Sequence, residues 1–492
     1  MVMRYLSFFM LMLFSLNAMT QQFTTPLVKK QYQSLSRHTE IMQFLDSLQK
    51  HSPKLTLDTA GFSEKGKPLP LVHIRGSEKP ENPKPYVFLF AQQHGNEPSG
   101  KEGLLLLAED FVQGRLNRVL DSVHVLLMPQ INPDGGDLHQ RRNINDVDLN
   151  RDHLLMQARE TRAMHRLFET YQPVMTVDIH EYYPYGDSWM DFGYRRNFDI
   201  QVGALTNPNA AENLIHYQRK QVMPFIENWL DKFSYSFFEY TLGHFPSGER
   251  LRHSTTDIND GRQSLGITNS LSFIVEGMNG KDSTHNIRRR ALSQYETAKA
   301  LCIYAANNIT HTVNVINQAQ NEIPSRDSVT IRQDHFDGET VLKYPLKNVE
   351  TGEDTVFKVT NYYHNIKPLL KVETPRGYLI RKKDTILVEL LKNNHFKFST
   401  YEPKKQDRIT GRQIIEMEMV KNEGLNTPYP MLMDKFLKTI TPKDYYFVPA
   451  DQLRKYKLVI AFEPESMFGI GFYDSFSGWM QKNTLFPALR VE

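Results

Sequence analysis

The chain predicts an α/β fold followed by a β-rich tail, and three observations carry that reading. Runs such as Tyr86–Ala91 and Val123–Gln130 are apolar without alternation, the pattern of strands covered on both faces. Stretches of helical periodicity separate these runs, the order expected of a sheet flanked by helices. From about Asn321 the texture changes to short segments that alternate apolar and polar residues between turn clusters, as antiparallel strands do.

Taken in order, residues 21 to about 50 are polar and helix-prone, and Leu55–Gly61 and Leu69–Arg75 read as short strands. Tyr86–Ala91 is a buried strand that ends in a polar turn, and Lys101–Phe111 reads as a helix. Val123–Gln130 is a second buried strand, closed by the turn sequence Ile131-Asn-Pro-Asp-Gly135. A helix over about Leu154–Tyr171 and a strand over Val174–Ile179 follow. The polar, aromatic region Tyr182–Thr268 holds one clear helix, near Asn213–Phe233, and predicts the rim of a cleft. Leu271–Val275 is another buried strand, and Asn286–Ala306 is a helix that places Leu292, Tyr295, Cys302 and Ile303 on one stripe. Cys302 therefore reads as a core residue. In the tail, Val329-Thr-Ile-Arg, Val359-Thr, Leu369-Leu-Lys-Val, Thr385-Ile-Leu-Val-Glu-Leu and His395-Phe-Lys-Phe read as strands, with Asn317–Arg326 as the linker. The organisation is a leader at 1–20, an α/β domain at 21–316 and a β-rich C-terminal domain at 321–492.

A chain of 492 residues is too long for one ordinary core. Hydrophobic content of 40% and charged content of 23% suit a globular protein. The 59 basic and 56 acidic residues are dispersed, with no basic stripe to favour nucleic acid. Arg4, the apolar run Tyr5–Leu16 and small residues near Ala18 have the form of a secretory signal peptide, too short for the roughly 20 apolar residues of a span. The expected location is therefore secreted or periplasmic, with no stable membrane association after cleavage. The single cysteine excludes an internal disulfide.

His94 and Glu97 sit three positions apart on the turn that leaves the Tyr86–Ala91 strand, and His180 follows the Val174–Ile179 strand. Two imidazoles and one carboxylate make a zinc set that leaves a fourth position open for water, the arrangement of a catalytic site. His-x-x-Glu by itself is a weak signal, and a lone strand-end histidine is more often structural.

The order and spacing of His94-Gly-Asn-Glu97, Asn132-Pro-Asp-Gly135, Arg141-Arg-Asn143, Asp148-Leu-Asn-Arg151, His180 and Val275-Glu276 resemble the zinc carboxypeptidase family, the funnelin metallocarboxypeptidases. The resemblance covers about residues 25 to 308. More loosely, Tyr445-Tyr-Phe-Val-Pro and Leu458–Ser466 look like the C-terminal extension of secreted bacterial members. It implies a carboxypeptidase-like mixed β-sheet flanked by helices, with a smaller β-rich C-terminal domain. It also implies one Zn2+ per chain on His94, Glu97 and His180, and a peptide substrate with a free C-terminal carboxylate. Asp148 would hold the free ring nitrogen of His94. Glu276 would act as general base and then general acid. Arg141, or its neighbour Arg142, would polarise the scissile carbonyl. Asn150 and Arg151 would grip the terminal carboxylate, a two-point match to the guanidinium fork.

The digestive members place a mobile tyrosine some twenty residues before the catalytic glutamate, and the window Leu251–Ile267 has none. Tyr182, Tyr183 or Tyr185 could contribute from another loop, and Asp257, Asp260 or Arg262 could set pocket charge. The leading reading is a secreted zinc carboxypeptidase. The alternatives are a zinc amidase acting on peptidoglycan peptides or acylated amino acids, and a non-catalytic binding protein of the same fold.

Overall fold

The computed structural model describes residues 23–77, 83–186, 188–246, 248 and 250–492. The expected signal peptide at 1–20 lies outside the described residues. Eight strands form the central sheet: β1 (Leu55–Phe62), β2 (Pro68–Ile74), β3 (Tyr86–Ala91), β4 (His124–Met128), β5 (Met175–Tyr182), β6 (Ile200–Gly203), β7 (Phe237–Glu239) and β8 (Leu271–Met278). Their order is β1-β2-β4-β3-β5-β8-β6-β7. The middle of the sheet, β4-β3-β5-β8, is parallel. β1, β2 and β6 add antiparallel pairings at its flanks, so the sheet is mixed as expected.

The apolar runs follow from cover on both faces. In β3, Val87, Leu89 and Ala91 join the core beneath helices α1 (Ser99–Val112) and α3 (Ile287–Asn307). Phe88 and Phe90 point the other way, into the core shared with helix α2 (Arg159–Tyr171). Cys302 is fully buried on α3, a core residue as expected.

Several boundaries differ from the sequence reading for identifiable reasons. Helix α2 starts at Arg159 rather than near Leu154 because Asp152 accepts from Gln157 N and Ala158 N at 2.8 and 2.9 Å, shaping a turn first. The helix expected over Asn213–Phe233 is interrupted by a π turn at Gln218–Val222, just ahead of Pro224, which has no N–H for the ladder.

The C-terminal region is rich in antiparallel strands, including a six-stranded sheet. Thr385–Asn393 is nevertheless a helix, which corrects the expected strand there: Leu387, Val388, Leu390 and Leu391 are buried at helical spacing. His395-Phe-Lys-Phe is irregular, not a strand. The expected linker Asn317–Arg326 begins as the end of helix Ile309–Asn321, where Ile316 and Ala319 are buried in the catalytic core. The tail shares a core with the catalytic part: Leu154, Leu155, Ile258 and Ile267 pack with Ile331, Leu391, Leu458 and Phe468. Lys457 Nζ donates to His153 O at 2.8 Å, and Asn394 Nδ2 to Leu154 O at 2.8 Å. The short strand Tyr194–Arg196 pairs with Leu342–Asn348 across the same boundary.

Candidate metal centre and active site

The site forms where β3, β5 and β8 present their carboxyl ends, the place where loops of a parallel sheet converge. Two of those loops interlock through glycine. A Cβ on Gly95, between His94 and Glu97, would lie 2.1 Å from Gly135 C and 2.4 Å from Gly136 N. Only glycine lets the His94–Glu97 turn sit on the Asn132–Gly135 turn. Asn132 fastens the joint: its Oδ1 accepts from Gly135 N at 2.8 Å and its Nδ2 donates to Gln93 O at 3.1 Å.

His94, Glu97 and His180 are all buried, and one ligand atom from each lies within 4.8 Å of the others. Among the described residues this is the one grouping of three such donors. His94 Nδ1 stands 2.8 Å from Glu97 Oε1 and 3.1 Å from His180 Nδ1, and His180 Nδ1 stands 2.9 Å from Glu97 Oε2. Glu181 N donates to Glu97 Oε2 at 3.1 Å.

The far ring nitrogens decide which atoms can bind a cation. His94 Nε2 lies 3.1 Å from Asp148 Oδ1, and His180 Nε2 lies 2.8 Å from Asp178 Oδ1. A carboxylate only accepts, so each Nε2 carries a hydrogen, and a ring in its neutral form then turns an Nδ1 lone pair to the cluster, where Glu97 also offers only lone pairs. Lone pairs packed this closely repel unless a proton or a cation sits among them. Burial acts to lower the His180 pKa, but Asp178 and Glu97 outweigh it and hold it well above the usual histidine range. Burial likewise opposes charge on Glu97, and His94 and His180 overcome it to keep the carboxylate ionised. The donor chemistry thus suits a divalent cation held by two imidazoles and one carboxylate.

Asp148 is both a support for His94 and a turn residue, since its Oδ1 also accepts from Asn150 N at 3.1 Å. Arg141 Nε donates to Asp148 Oδ2 at 3.0 Å, and its Nη1 reaches 3.2 Å from His94 Nδ1 and 3.5 Å from Glu97 Oε1. Arg142 turns away and donates to Asp146 O at 2.8 Å. Of the two arginines, Arg141 is the one at the cluster.

Glu276 on β8 is the direct register partner of His180 on β5. Register partners on neighbouring strands project to one face, which brings this acid beside the ligands. Glu276 is 8% exposed, and burial, with Glu97 adding, pushes its carboxyl up to about 7 against the pull of His180, His94 and Arg141. A carboxyl poised there can both accept and return a proton near neutrality.

Asn150 touches the cluster from another side: its Nδ2 is 3.2 Å from His180 Nε2, and its Oδ1 accepts from Gly261 N at 2.8 Å. Arg151 is exposed and donates to Asn150 O at 2.6 Å. Although the side chain reaches solvent, the protein packed around its guanidinium opposes the charge, and Asp257, Asp148 and Asp260 outweigh that and raise its pKa.

Three side chains here carried no role in the sequence reading. Asp178 and Gln93 brace His180 from behind, with Gln93 Nε2 donating to Asp178 at 2.8 and 2.9 Å. His153 Nε2 lies 2.9 Å from Gln93 Oε1 and extends the chain inward. Asp178 precedes His180 by two in a strand, the spacing of one face, which is the available signal.

The tyrosine candidates fall elsewhere. Tyr182 is buried, with its hydroxyl donating to Phe198 O, and Tyr183 is exposed at the surface. Tyr185 packs edge-on against His285. Tyr240, outside the window considered, is buried, and burial together with Glu276 pushes its phenol up, so it stays protonated. Arg262 is fully buried and paired with Asp260 at 3.0 Å, so that pair cancels in charge. Asp257 accepts from Asn259 N at 2.8 Å, and burial pushes its carboxyl up to about 7.

Comparison with known proteins bears on the same residues. Residues 41–222 match the family model described as zinc carboxypeptidase, a span that takes in all three clustered donors and ends before Glu276. Carboxypeptidase 2 of Trichophyton rubrum is 24% identical over 446 residues, covering 86% of this chain and 81% of the relative. Carboxypeptidase E of Caenorhabditis elegans is 35% identical over 128 residues, covering 22% of this chain and 27% of the relative. A metallo-carboxypeptidase structure from Burkholderia cenocepacia aligns at 18% identity and a TM-score of 0.44, covering 56% of this chain and 71% of that one, too low a score to carry a fold assignment. Residues 41–222 thus match the zinc carboxypeptidase model, and most of the chain is similar to curated carboxypeptidases.

Proposed function

We propose that the protein is an exported, zinc-dependent exopeptidase that releases C-terminal amino acids from peptides, with one zinc per chain. His94, Glu97 and His180 would hold the metal, which when bound supplies Lewis acidity and a water more acidic than bulk. Asp148 and Asp178 keep the two imidazoles in the tautomer and orientation that ligation needs. Glu276 takes a proton from the attacking water and returns it to the leaving amine. Arg141 polarises the scissile carbonyl and opposes the charge that develops on its oxygen. Asn150 and Arg151 bind the substrate's terminal carboxylate, which restricts cleavage to the last residue of a chain. Export rests on the leader read at 1–20. Among the described residues, no helix is long and apolar enough to cross a membrane.

The observation that carries this reading is the convergence of two bare Nδ1 atoms and the Glu97 carboxylate, with Glu276 in register beside them. Purified protein should release the last residue from N-blocked dipeptides, lose that activity to a chelator and recover it on addition of zinc. Inactivity on apolar, basic and acidic end residues alike would sink the proposal.

A further inference from the structure

The stretch Leu251–Asp260 approaches the site behind Asn150. A Cβ on Gly261 would stand 2.6 Å from Asp178 Oδ2 and 3.0 Å from Gln93 Nε2, so the end of this stretch is pressed against the groups that brace His180. Part of its shape is local: Thr255 O accepts from Arg262 Nη2 at 3.1 Å and from Gln263 Nε2 at 2.7 Å.

Its middle is held from the tail. Glu423 is buried, 4% exposed, and accepts from Thr255 Oγ1 at 3.0 Å and from Thr256 N at 3.3 Å to each carboxylate oxygen. Thr256 Oγ1 donates to it as well. Gln333 Nε2 donates to Thr256 Oγ1 at 2.7 Å, and Arg252 Nη2 donates to Glu423 O at 3.0 Å. Hydrogen bonds to a carboxylate are among the stronger kinds, and these join residues 167 apart in sequence.

The backbone conformation at Glu423 disfavours a glutamate. It is the first of two residues in the turn between strands Ile409–Asn422 and Leu425–Phe436, where Asn422 pairs with Leu425. Glu423 has φ 48° and Gly424 φ 82°, both left-handed. Asparagine or glycine suits the first position of such a turn, and glutamate does not. Turn formation therefore gives no reason for a glutamate here; the carboxylate's partners on the catalytic part do.

We propose that Glu423 is a positioning residue for substrate binding. The hairpin tip fixes Thr255 and Thr256, and through them Asp257 to Gly261, against Asn150 and Arg151. The tail thereby shapes the side of the site that receives the terminal carboxylate. This rests on the carboxylate-binding role given to Asn150 and Arg151 above.

The test compares Glu423→Asn, which fits the turn better than the native residue, with Glu423→Gln, which keeps the reach and one acceptor oxygen. In Glu423→Asn, zinc content is expected to hold and Tm to fall by only a few degrees, since relief of the left-handed turn offsets part of the lost hydrogen bonding. KM for N-blocked dipeptides should rise about tenfold, the worth of one charge-assisted hydrogen bond, while kcat moves less than about threefold. Glu423→Gln should recover part of the KM loss. Amide exchange at Thr256 and across 252–261 should accelerate in Glu423→Asn. Unchanged KM and unchanged exchange in that variant would overturn the proposal, as would an equal collapse of Tm in both variants. A wild-type protein inactive on every dipeptide would defeat the carboxypeptidase mechanism instead, and the exchange comparison would still decide whether Glu423 holds the segment.

Discussion

The metal centre and the tail hairpin hold buried charge in different ways. At the centre, Glu97, Asp148 and Asp178 each face an imidazole, that of His94 or His180. At the hairpin, Glu423 is matched by hydroxyl and amide donors of a stretch far away in sequence. The centre is built for chemistry, since its groups surround a place for a cation and an acid with a raised pKa. The hairpin suits placement, since its carboxylate accepts from threonine hydroxyls and a backbone amide, with the His335 imidazole 3.7 Å away. On the proposed reading, the difference divides catalysis and substrate fit between two parts of one chain that share a core.

Substitutions should separate the two regions. The largest effect is expected at Glu276→Gln: kcat should fall by roughly 10²–10⁴-fold with zinc content unchanged, measured by metal analysis beside turnover. Turnover near wild type would remove Glu276 from the mechanism. Next, Asp178→Ala should weaken zinc affinity by about 10–100-fold, read by competition with a chelating dye, because His180 loses the acceptor that fixes its tautomer.

The tail should respond in stability rather than metal binding. Arg332 donates to Pro428 O at 3.1 Å and Glu465 O at 2.9 Å, and also to Asn422 and Thr427 beside the hairpin tip. Arg332→Met takes the donor from these groups and leaves the Pro428 and Glu465 carbonyls without it, a loss of about 3 kcal/mol in denaturant unfolding, with zinc affinity retained. A drop in zinc affinity instead would erase the division of labour.

The smallest effect is a pH dependence. Burial raises the Asp257 carboxyl from 3.8 to about 7, so the folded state favours its neutral form. Its contribution to stability is complete below the unfolded value and is lost as pH rises through the folded one. Asp257→Asn should flatten the fall in stability between about pH 4 and 7, measured by unfolding at a series of pH values.

Much of the centre was legible because its signals are local. His94 and Glu97 share a turn, and the apolar run of Tyr86–Ala91 marks that turn as the end of a buried strand. His180 and Glu276 could be named singly, but their pairing depends on the β5–β8 register, which only the assembled sheet supplies. Arg141 and Arg142 are indistinguishable as neighbours; the turn around Asn143, whose Oδ1 accepts from Asn145 N and Val147 N, sends one inward and the other to Asp146. Thr385-Ile-Leu-Val-Glu-Leu misled because a short apolar run satisfies helix and strand periods alike, and burial of Leu387, Leu390 and Leu391 settled it as helix. Glu423 gave no local sign at all. Its partners lie in a segment whose own sequence offers threonines that could bond anywhere.

The most direct test of the central claim is diffraction at the zinc absorption edge from crystals grown with the metal. One anomalous peak per chain, bounded by Nδ1 of His94, Nδ1 of His180 and the carboxylate of Glu97 with Glu276 alongside, is the predicted result. A zinc-loaded crystal whose peak lies away from these three side chains would contradict the account.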